Sequence, residues 1–384
     1  MSLALVNGRI LRAKRFLEGR CVLISDGRIE DVVPASDRRV RRAERRDLGG
    51  ALLLPGFIDS QVNGGGGVLF NDAPSVESIR AIGRAHRRFG TTGFLPTLIS
   101  ADLDVVARAI TAVRSAIEAR VPGVLGIHIE GPFLNVARKG VHDPAKLREL
   151  DPSALGLLTS LRGGRTLVTL APEMTTPAMI EKLVAAGVVV SAGHTNATYA
   201  EINSALEHGL SGFTHLFNAM SQLTGREPGA VGAALADPNS WCGIIVDGAH
   251  TAPVVLRIAL RCKPHDRFML VTDAMPSVGT DQPSFELQGR RIAVNGSTCV
   301  DEDGRLAGSN IDMARSVRNA VELLGVSLVE AVNMATRAPA EFLGLAHETG
   351  RIARGLRANL VLADAQLNVL DTWIDGRSSA EDGA

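Results

Sequence analysis

Apolar and polar residues alternate at both ends of this chain, while the middle follows a different rhythm. Residues 1 to about 50 contain "LALVNGRI", "CVLISDGRIEDVV" and "DLGGALLLPG", short period-two runs broken by Asn-Gly and Asp-Gly pairs that favour tight turns. The stretch 350–376, "GRIARGLRANLVLADAQLNVLDTWIDG", has the same character, with strand, turn and strand around Ala363 and Asp364. Ends that match each other and differ from the middle predict one small sheet domain assembled from both termini.

Between them, short apolar runs alternate with stretches of helical spacing: "LLPGFIDSQV", "TTGFLPTLI", "VLGIHIEGP", "TLVTLAPE", "VVVSAGHT", "GFTHLFNA", "CGIIVDGAH" and "FMLVTDAM". Such alternation implies βαβ units around a parallel sheet, and eight strands is the number of a closed barrel. Amphipathic spacing places helices at 75–89, 101–119, 176–186, 198–208 and 252–262. A hairpin-like excursion at 280–304 follows the eighth strand, then a helix from Ser309 and another from Ser327. The expected fold is α/β: a (β/α)8 TIM-like barrel over 53–346, with a small β-sandwich domain built from 1–52 and 347–384.

Composition sharpens this picture. At 384 residues the chain is large enough for one barrel or two domains. Hydrophobic residues make up 45% but aromatics only 4%, so the core must be built from Val, Leu, Ile and Ala, as in parallel α/β interiors. With 41 basic and 41 acidic residues the net charge is zero, which leaves no global field for nucleic acid or an anionic membrane. The dense basic run "DRRVRRAERRD" at 37–47 is interrupted by acids and reads as solvated surface in an inter-strand loop. Cys21, Cys242, Cys262 and Cys299 show no C-x-x-C spacing, and the N-terminal stretch has no continuous apolar run. A soluble protein of the reducing cytoplasm is expected.

In a (β/α)8 barrel the chemistry gathers at the C-terminal ends of the strands. Read to their ends, the strands offer Gln61 and Asn63, Thr97, His128 and Glu130, Glu173, His194, His215, Asp247 and His250, and Asp273. Glu130, His194 and His215 lie at equivalent strand ends beside glycines or small residues, so they can supply three ligands to a catalytic metal and leave one position open. His128 shares a strand face with Glu130 and is read equally as ligand or as support. Asp273 in "LVTDAM" is placed as the general base beside the metal. His142 and His250 sit in or beside loops, and Arg226 in "TGREPG" offers either a phosphate clamp or a solvated guanidinium. The glycine run at 64–67 lacks the Lys-Ser/Thr of a P-loop and reads as room for the chain to approach the site.

The long motifs "GIHIEGPFLNVARKGVHDP", "SAGHTNATY", "THLFNAMSQLTGREPGAVGAAL", "VDGAHTAP", "LVTDAMPSVGT" and "LAGSNIDMARSVRNAV" resemble those of the N-acetylglucosamine-6-phosphate deacetylases, within the amidohydrolase superfamily. The likeness covers nearly the whole chain. It implies that Glu130, His194 and His215 bind one divalent metal per subunit, zinc first, with iron(II) or cobalt as alternatives. It assigns acid/base work to Asp273 and polarisation of the acetyl carbonyl to His142. It places Val141, Asn218, Ala219, Arg226, His250 and Leu306, Ala307 and Gly308 against an amino sugar phosphate, with Arg226 and His250 nearest the phosphate. A homodimer is implied as well.

Where many amidohydrolases carry His-x-His on strand one, this chain carries Gln61-x-Asn63, neutral amides that make poor zinc ligands. The departure predicts a mononuclear site, with Gln61 counted on the substrate side rather than among the ligands. Alternatives are a deacetylase for the galactosamine epimer, another amidohydrolase activity such as deamination, or a non-catalytic sugar-phosphate sensor. An intact Asp273 and intact histidines weigh against the sensor, and Arg226 with His142 against a deaminase.

Overall fold

The computed structural model describes residues 2–381. Eight parallel strands follow one another around a single sheet: β1 (Phe57–Val62), β2 (Thr91–Ile99), β3 (Gly126–Glu130), β4 (Arg165–Leu170), β5 (Val189–Ala192), β6 (Gly212–Phe213), β7 (Trp241–Ile244) and β8 (Phe268–Leu270). A parallel bridge between Val62 and Ala274, with Asp273 N–H donating to the Gln61 carbonyl at 3.0 Å, closes the ring just beyond the strand ends. Helices Val76–Arg87, Leu103–Glu118, Pro177–Ala185, Tyr199–Glu207 and Pro253–Cys262 stand where the helical spacing predicts them.

The pleat sorts the side chains. Ile58, Leu95, Leu125, Leu167 and Met269 point inward and meet Phe342 and Leu343, so the end of helix Arg337–Phe342 plugs the bottom of the barrel. Outward residues such as Phe57, Phe94, Ile127 and Val168 pack under the surrounding helices. With its floor filled, the barrel leaves only the upper mouth for a ligand.

Both termini build the flanking sheets. One sheet pairs Arg15–Leu17, Arg9–Arg12, Leu52–Pro55, Leu360–Ala363, Val369–Ile374 and Arg377–Ser378; the other pairs Arg28–Pro34, Arg20–Ser25, Leu3–Val6 and Glu44–Asp47. Leu5, Val22 and Ile24 of the second sheet face Ile10, Leu53, Leu360 and Trp373 of the first across one apolar layer, which makes a sandwich. The opposite face, with Ala4, Cys21 and Leu23, is covered by Val40. Val40 belongs to a short helix, Arg38–Arg42, so the basic run is helix and edge strand rather than loop. Its Arg39 pairs with Glu30, Asp31 and Asp37 at the surface.

Two expectations shift. The excursion after β8 is a four-stranded antiparallel sheet, Ser284–Leu287, Arg290–Asn295, Thr298–Val300 and Leu306–Ser309. Ser309 ends its last strand, held by Ser309 N–H to the Asp273 carbonyl at 2.9 Å, and the helix starts four residues later at Met313. Asp312 explains the delay, because its side chain caps the Arg315 N–H. No helix among the described residues is long and apolar enough to cross a membrane.

Candidate active site

A cavity of about 210 Å³ opens at the C-terminal ends of the barrel strands. The residues given a role at the metal, the proton or the sugar phosphate all line it except Gln61 and Arg226, and of the other strand-end candidates Asn63 lines it while Thr97, His128, Glu173 and Asp247 do not. Glu130 ends β3, while His194, His215 and Asp273 stand two or three residues beyond β5, β6 and β8. Those three turn the chain sharply, with φ of 49°, 33° and 52°, left-handed values that L residues adopt only where the surroundings enforce them. Hydrogen bonds supply the enforcement: Asn135 N–H to the His194 carbonyl, Asn218 N–H to that of His215, and Ser309 N–H to that of Asp273. Because the last contact needs close backbone approach, Gly308 has no room for a side chain. A Cβ there would lie 2.5 Å from Met275 Cγ and 2.9 Å from the Asp273 carbonyl.

The turns aim three donor atoms at one point. His215 Nε2 lies 3.0 Å from Glu130 Oε1 and 3.1 Å from His194 Nε2, and His194 Nε2 lies 3.3 Å from the same carboxylate oxygen. His194 Nδ1 faces the Arg138 carbonyl at 2.9 Å, an acceptor only, so the ring proton sits on Nδ1 and Nε2 presents a lone pair. Two imidazole nitrogens and a carboxylate oxygen within 4.8 Å of one another, all buried, share too few protons to satisfy each other. A divalent cation satisfies all three at once, so the side chains fit a metal.

Electrostatics agree with that reading. Burial works to raise the Glu130 pKa, but the bonds from His194 and His215 outweigh it and hold the carboxyl well below its usual range. Asp273 goes the other way, raised by burial and then by the Glu130 charge. Gln61 and Asn63 sit between the two acids as donors. Gln61 Nε2 donates to both Glu130 oxygens at 3.2 Å and to Asp273 Oδ1 at 3.1 Å, and Asn63 Nδ2 donates to Asp273 Oδ1 at 2.7 Å. The strand-one amides therefore face the carboxylates with N–H groups, the reverse of a metal ligand. Asp273 Oδ2 has no partner among the described residues, so one oxygen is anchored and the other is free to work.

His142 lies across the cavity, its ring centroid 4.4 Å from that of His194, and burial followed by the His194 charge keeps it well below the usual histidine range. His250 is held by Asp247, whose Oδ2 lies 2.6 Å from His250 Nδ1. His128 is not placed as a ligand: Nδ1 meets Thr97 Oγ1 at 3.1 Å and Nε2 meets Thr169 Oγ1 at 2.8 Å, inside the barrel. Glu173 ties loops together, accepting from Asn135 Nδ2 at 3.0 Å and Asn196 N–H at 2.6 Å. Arg226 is exposed on the loop after β6, away from the cavity wall. Ser100, Met275 and Leu287 also build the site, and none was singled out from the sequence. Only Ser100 carries a signal, a hydroxyl one residue past the end of β2.

The chain matches known proteins over most of its length. The model of the Amidohydrolase family covers residues 52–378. An N-acetylgalactosamine-6-phosphate deacetylase of Shewanella sp. (strain ANA-3) is 48% identical over 84% of this chain and 82% of its own length. The N-acetylglucosamine-6-phosphate deacetylase of Haemophilus influenzae is 36% identical over 98% of this chain and 99% of its own. The crystal structure of the N-acetylglucosamine-6-phosphate deacetylase from Pasteurella multocida superposes with a TM-score of 0.95 at 36% identity, covering 99% of this chain and 100% of that one. The chain belongs to the amidohydrolase family.

Proposed function

We propose that this protein hydrolyses the acetamide of N-acetyl-D-glucosamine 6-phosphate to D-glucosamine 6-phosphate and acetate. One observation carries the reading: the Glu130, His194 and His215 cluster, the free oxygen of Asp273 and the His142 ring all face one cavity. Glu130, His194 and His215 would hold a divalent ion, which would supply Lewis acidity to water and to the amide carbonyl; their donor set suits zinc, with iron(II) or cobalt also accommodated. Asp273 Oδ2 takes a proton from the attacking water while Asn63 and Gln61 hold Oδ1, and the same oxygen then returns the proton to the departing sugar nitrogen. His142 donates to the acetyl oxygen as its charge grows, a contribution of about 3 to 4 kcal/mol for one well-placed donor.

Substrate recognition falls to the rest of the wall. Val141, Asn218, Ala219 and the strand Leu306–Ser309 border the sugar, and His250, oriented by Asp247, lines the same cavity. Remote binding of the phosphate orients the amide, so unphosphorylated sugar reacts poorly. Arg226 is exposed, as is Leu223 on the same loop at 58%, which supports a homodimer in which this loop meets a second copy. The cysteines are all free and all but Cys262 are buried, as suits a reducing cytoplasm.

A second reading has its own support. The Shewanella relative at 48% identity bears the name of the galactosamine epimer's deacetylase, which favours N-acetyl-D-galactosamine 6-phosphate as the substrate. Acetate release from both epimers and from unphosphorylated N-acetylglucosamine, with metal content measured on the same sample, decides. Faster turnover of the glucosamine epimer, with about one ion per chain, supports the first reading. Preference for the other epimer transfers the assignment to it, and release from neither overturns both.

A further inference from the structure

His142 has one neighbour whose chemistry fixes where its ring proton sits. Ser100 follows β2 directly, is 2% exposed, and places its Oγ 2.7 Å from His142 Nδ1. Its backbone N–H points at the same nitrogen at 3.3 Å. A hydroxyl either gives or accepts, so the shorter contact alone is ambiguous. A backbone N–H only gives, and so His142 Nδ1 is an acceptor. The hydroxyl must then donate too, and the single proton of the neutral ring is left on Nε2. No group among the described residues bonds to Nε2, and the ring lines the cavity. The Ser100 carbonyl in turn accepts from Gln288 Nε2 at 3.4 Å, so the sheet over the barrel mouth holds this segment in place.

We propose that Ser100 is a positioning residue: its hydroxyl and backbone N–H lock His142 in the Nε2–H tautomer, so that the cavity meets a hydrogen-bond donor at that corner. The alternative tautomer turns a lone pair toward the cavity and repels the carbonyl oxygen that the reaction charges. What the donor meets rests on the deacetylase reading above; the tautomer itself does not. The assignment concerns where one proton sits, not whether the ring titrates.

Two measurements test it on the intact, zinc-loaded protein. Nitrogen-15 spectra of histidine-labelled protein distinguish the protonated from the bare ring nitrogen, and a His142→Gln variant identifies the relevant signal. The expected spectrum shows Nε2 protonated in the wild type and, in Ser100→Ala, where only the longer backbone bond remains, a partial population of the Nδ1–H tautomer. Kinetically, Ser100→Ala is expected to lower kcat on the order of tenfold, a fraction of the ~10²-fold loss from deleting an oxyanion donor outright, with KM nearly unchanged. Ser100→Thr, which keeps the hydroxyl, is expected to restore both the spectrum and kcat. A wild-type signal protonated on Nδ1, or Ser100→Ala with an unchanged tautomer and unchanged kcat, overturns the proposal. If the spectra are as stated but no epimer releases acetate, the positioning stands and the deacetylase reading falls.

Discussion

Asp59 gives a prediction whose size follows from its surroundings. It lies on β1 inside the barrel, fully buried, with Oδ1 accepting from the backbone N–H of Gln61 at 3.2 Å and of Thr272 at 3.3 Å, and Oδ2 2.5 Å from Thr272 Oγ1. Burial raises its pKa, the three hydrogen bonds only partly oppose this, and the Asp273 charge adds to the rise, leaving it at about 7 against 3.8 for a free carboxyl. At ~1.36 kcal/mol per pH unit, that gap is worth roughly 4 kcal/mol. Because the folded-state value is the higher one, the stability is fully present below 3.8, declines as the unfolded chain ionises, and is lost once pH passes about 7. Asp59→Asn removes the titration and keeps the geometry: its carbonyl accepts both N–H groups, its amide donates to Thr272 Oγ1, and that hydroxyl turns to the Gln61 carbonyl 3.4 Å away. The variant is therefore expected to gain on the wild type between pH 4 and 8 by up to ~4 kcal/mol. In melting temperature that is about 4 to 8 °C, scaling down the ~2–4 °C per kcal/mol of shorter chains. The assay is thermal unfolding of both proteins across that range with metal present, read as the difference at each pH because a chain of this size need not unfold in one step. A difference that stays flat, or that favours the wild type as pH rises, would show Asp59 ionised in the folded state and refute the reasoning.

Asp273→Asn is expected to retain its metal and lose on the order of 10²- to 10⁴-fold in kcat, checked by acetate release alongside metal analysis. Asp247→Asn weakens the charged bond that orients His250, so kcat/KM for the phosphorylated substrate should fall about 10- to 100-fold, the equivalent of ~1.5–3 kcal/mol, with little change in melting temperature. Gly126→Ala puts a Cβ 1.8 Å from the Arg165 carbonyl, a backbone atom that has no room to yield, and should cost about 3 kcal/mol or more, seen as a lowered melting point or loss of soluble protein. Chelation should abolish acetate release and lower the melting temperature through loss of a ligand specific to the folded state, and zinc should restore both.

The architecture was legible wherever a local pattern decided it. The eight apolar runs were readable because a barrel strand is apolar on both faces, and the helices because each buries one face, as at Ile79 and Ile82 or Val106, Ile110 and Val113. Glu130, His194, His215 and Asp273 were readable because barrel topology turns strand ends into neighbours. What local pattern leaves open is partnership between distant segments. The excursion after β8 showed turns but not which sheet it would build, since Leu287, Ile292 and Cys299 are buried with Leu69, Ile99 and Met275 from distant parts of the chain. A helix was expected from Ser309, yet that residue closes a strand, its hydroxyl donating to the Thr272 carbonyl at 2.5 Å. Ser100 gave no hint of His142, which lies 42 residues away in sequence.

The amides of strand one show why their replacement for histidine is an alteration of the site and not a loss. Two buried acids, Glu130 and Asp273, stand close enough that the charge of one raises the pKa of the other. A second cation is one way to hold such a pair together. Here Gln61 bridges them through one amide nitrogen, and Asn63 adds a shorter bond to Asp273 alone. Amide donors stabilise a carboxylate without neutralising it: the bonds from His194 and His215 keep Glu130 ionised, while burial and the Glu130 charge leave Asp273 with a raised affinity for protons although the Asn63 bond lowers it. A general base that must both take and return a proton near neutrality requires that imbalance. Histidines in those two places would compete for the same oxygens or recruit a second ion, and either outcome would depress Asp273. On the deacetylase reading proposed above, one metal and two amides divide the labour between two carboxylates, with ligation given to Glu130 and proton transfer to Asp273.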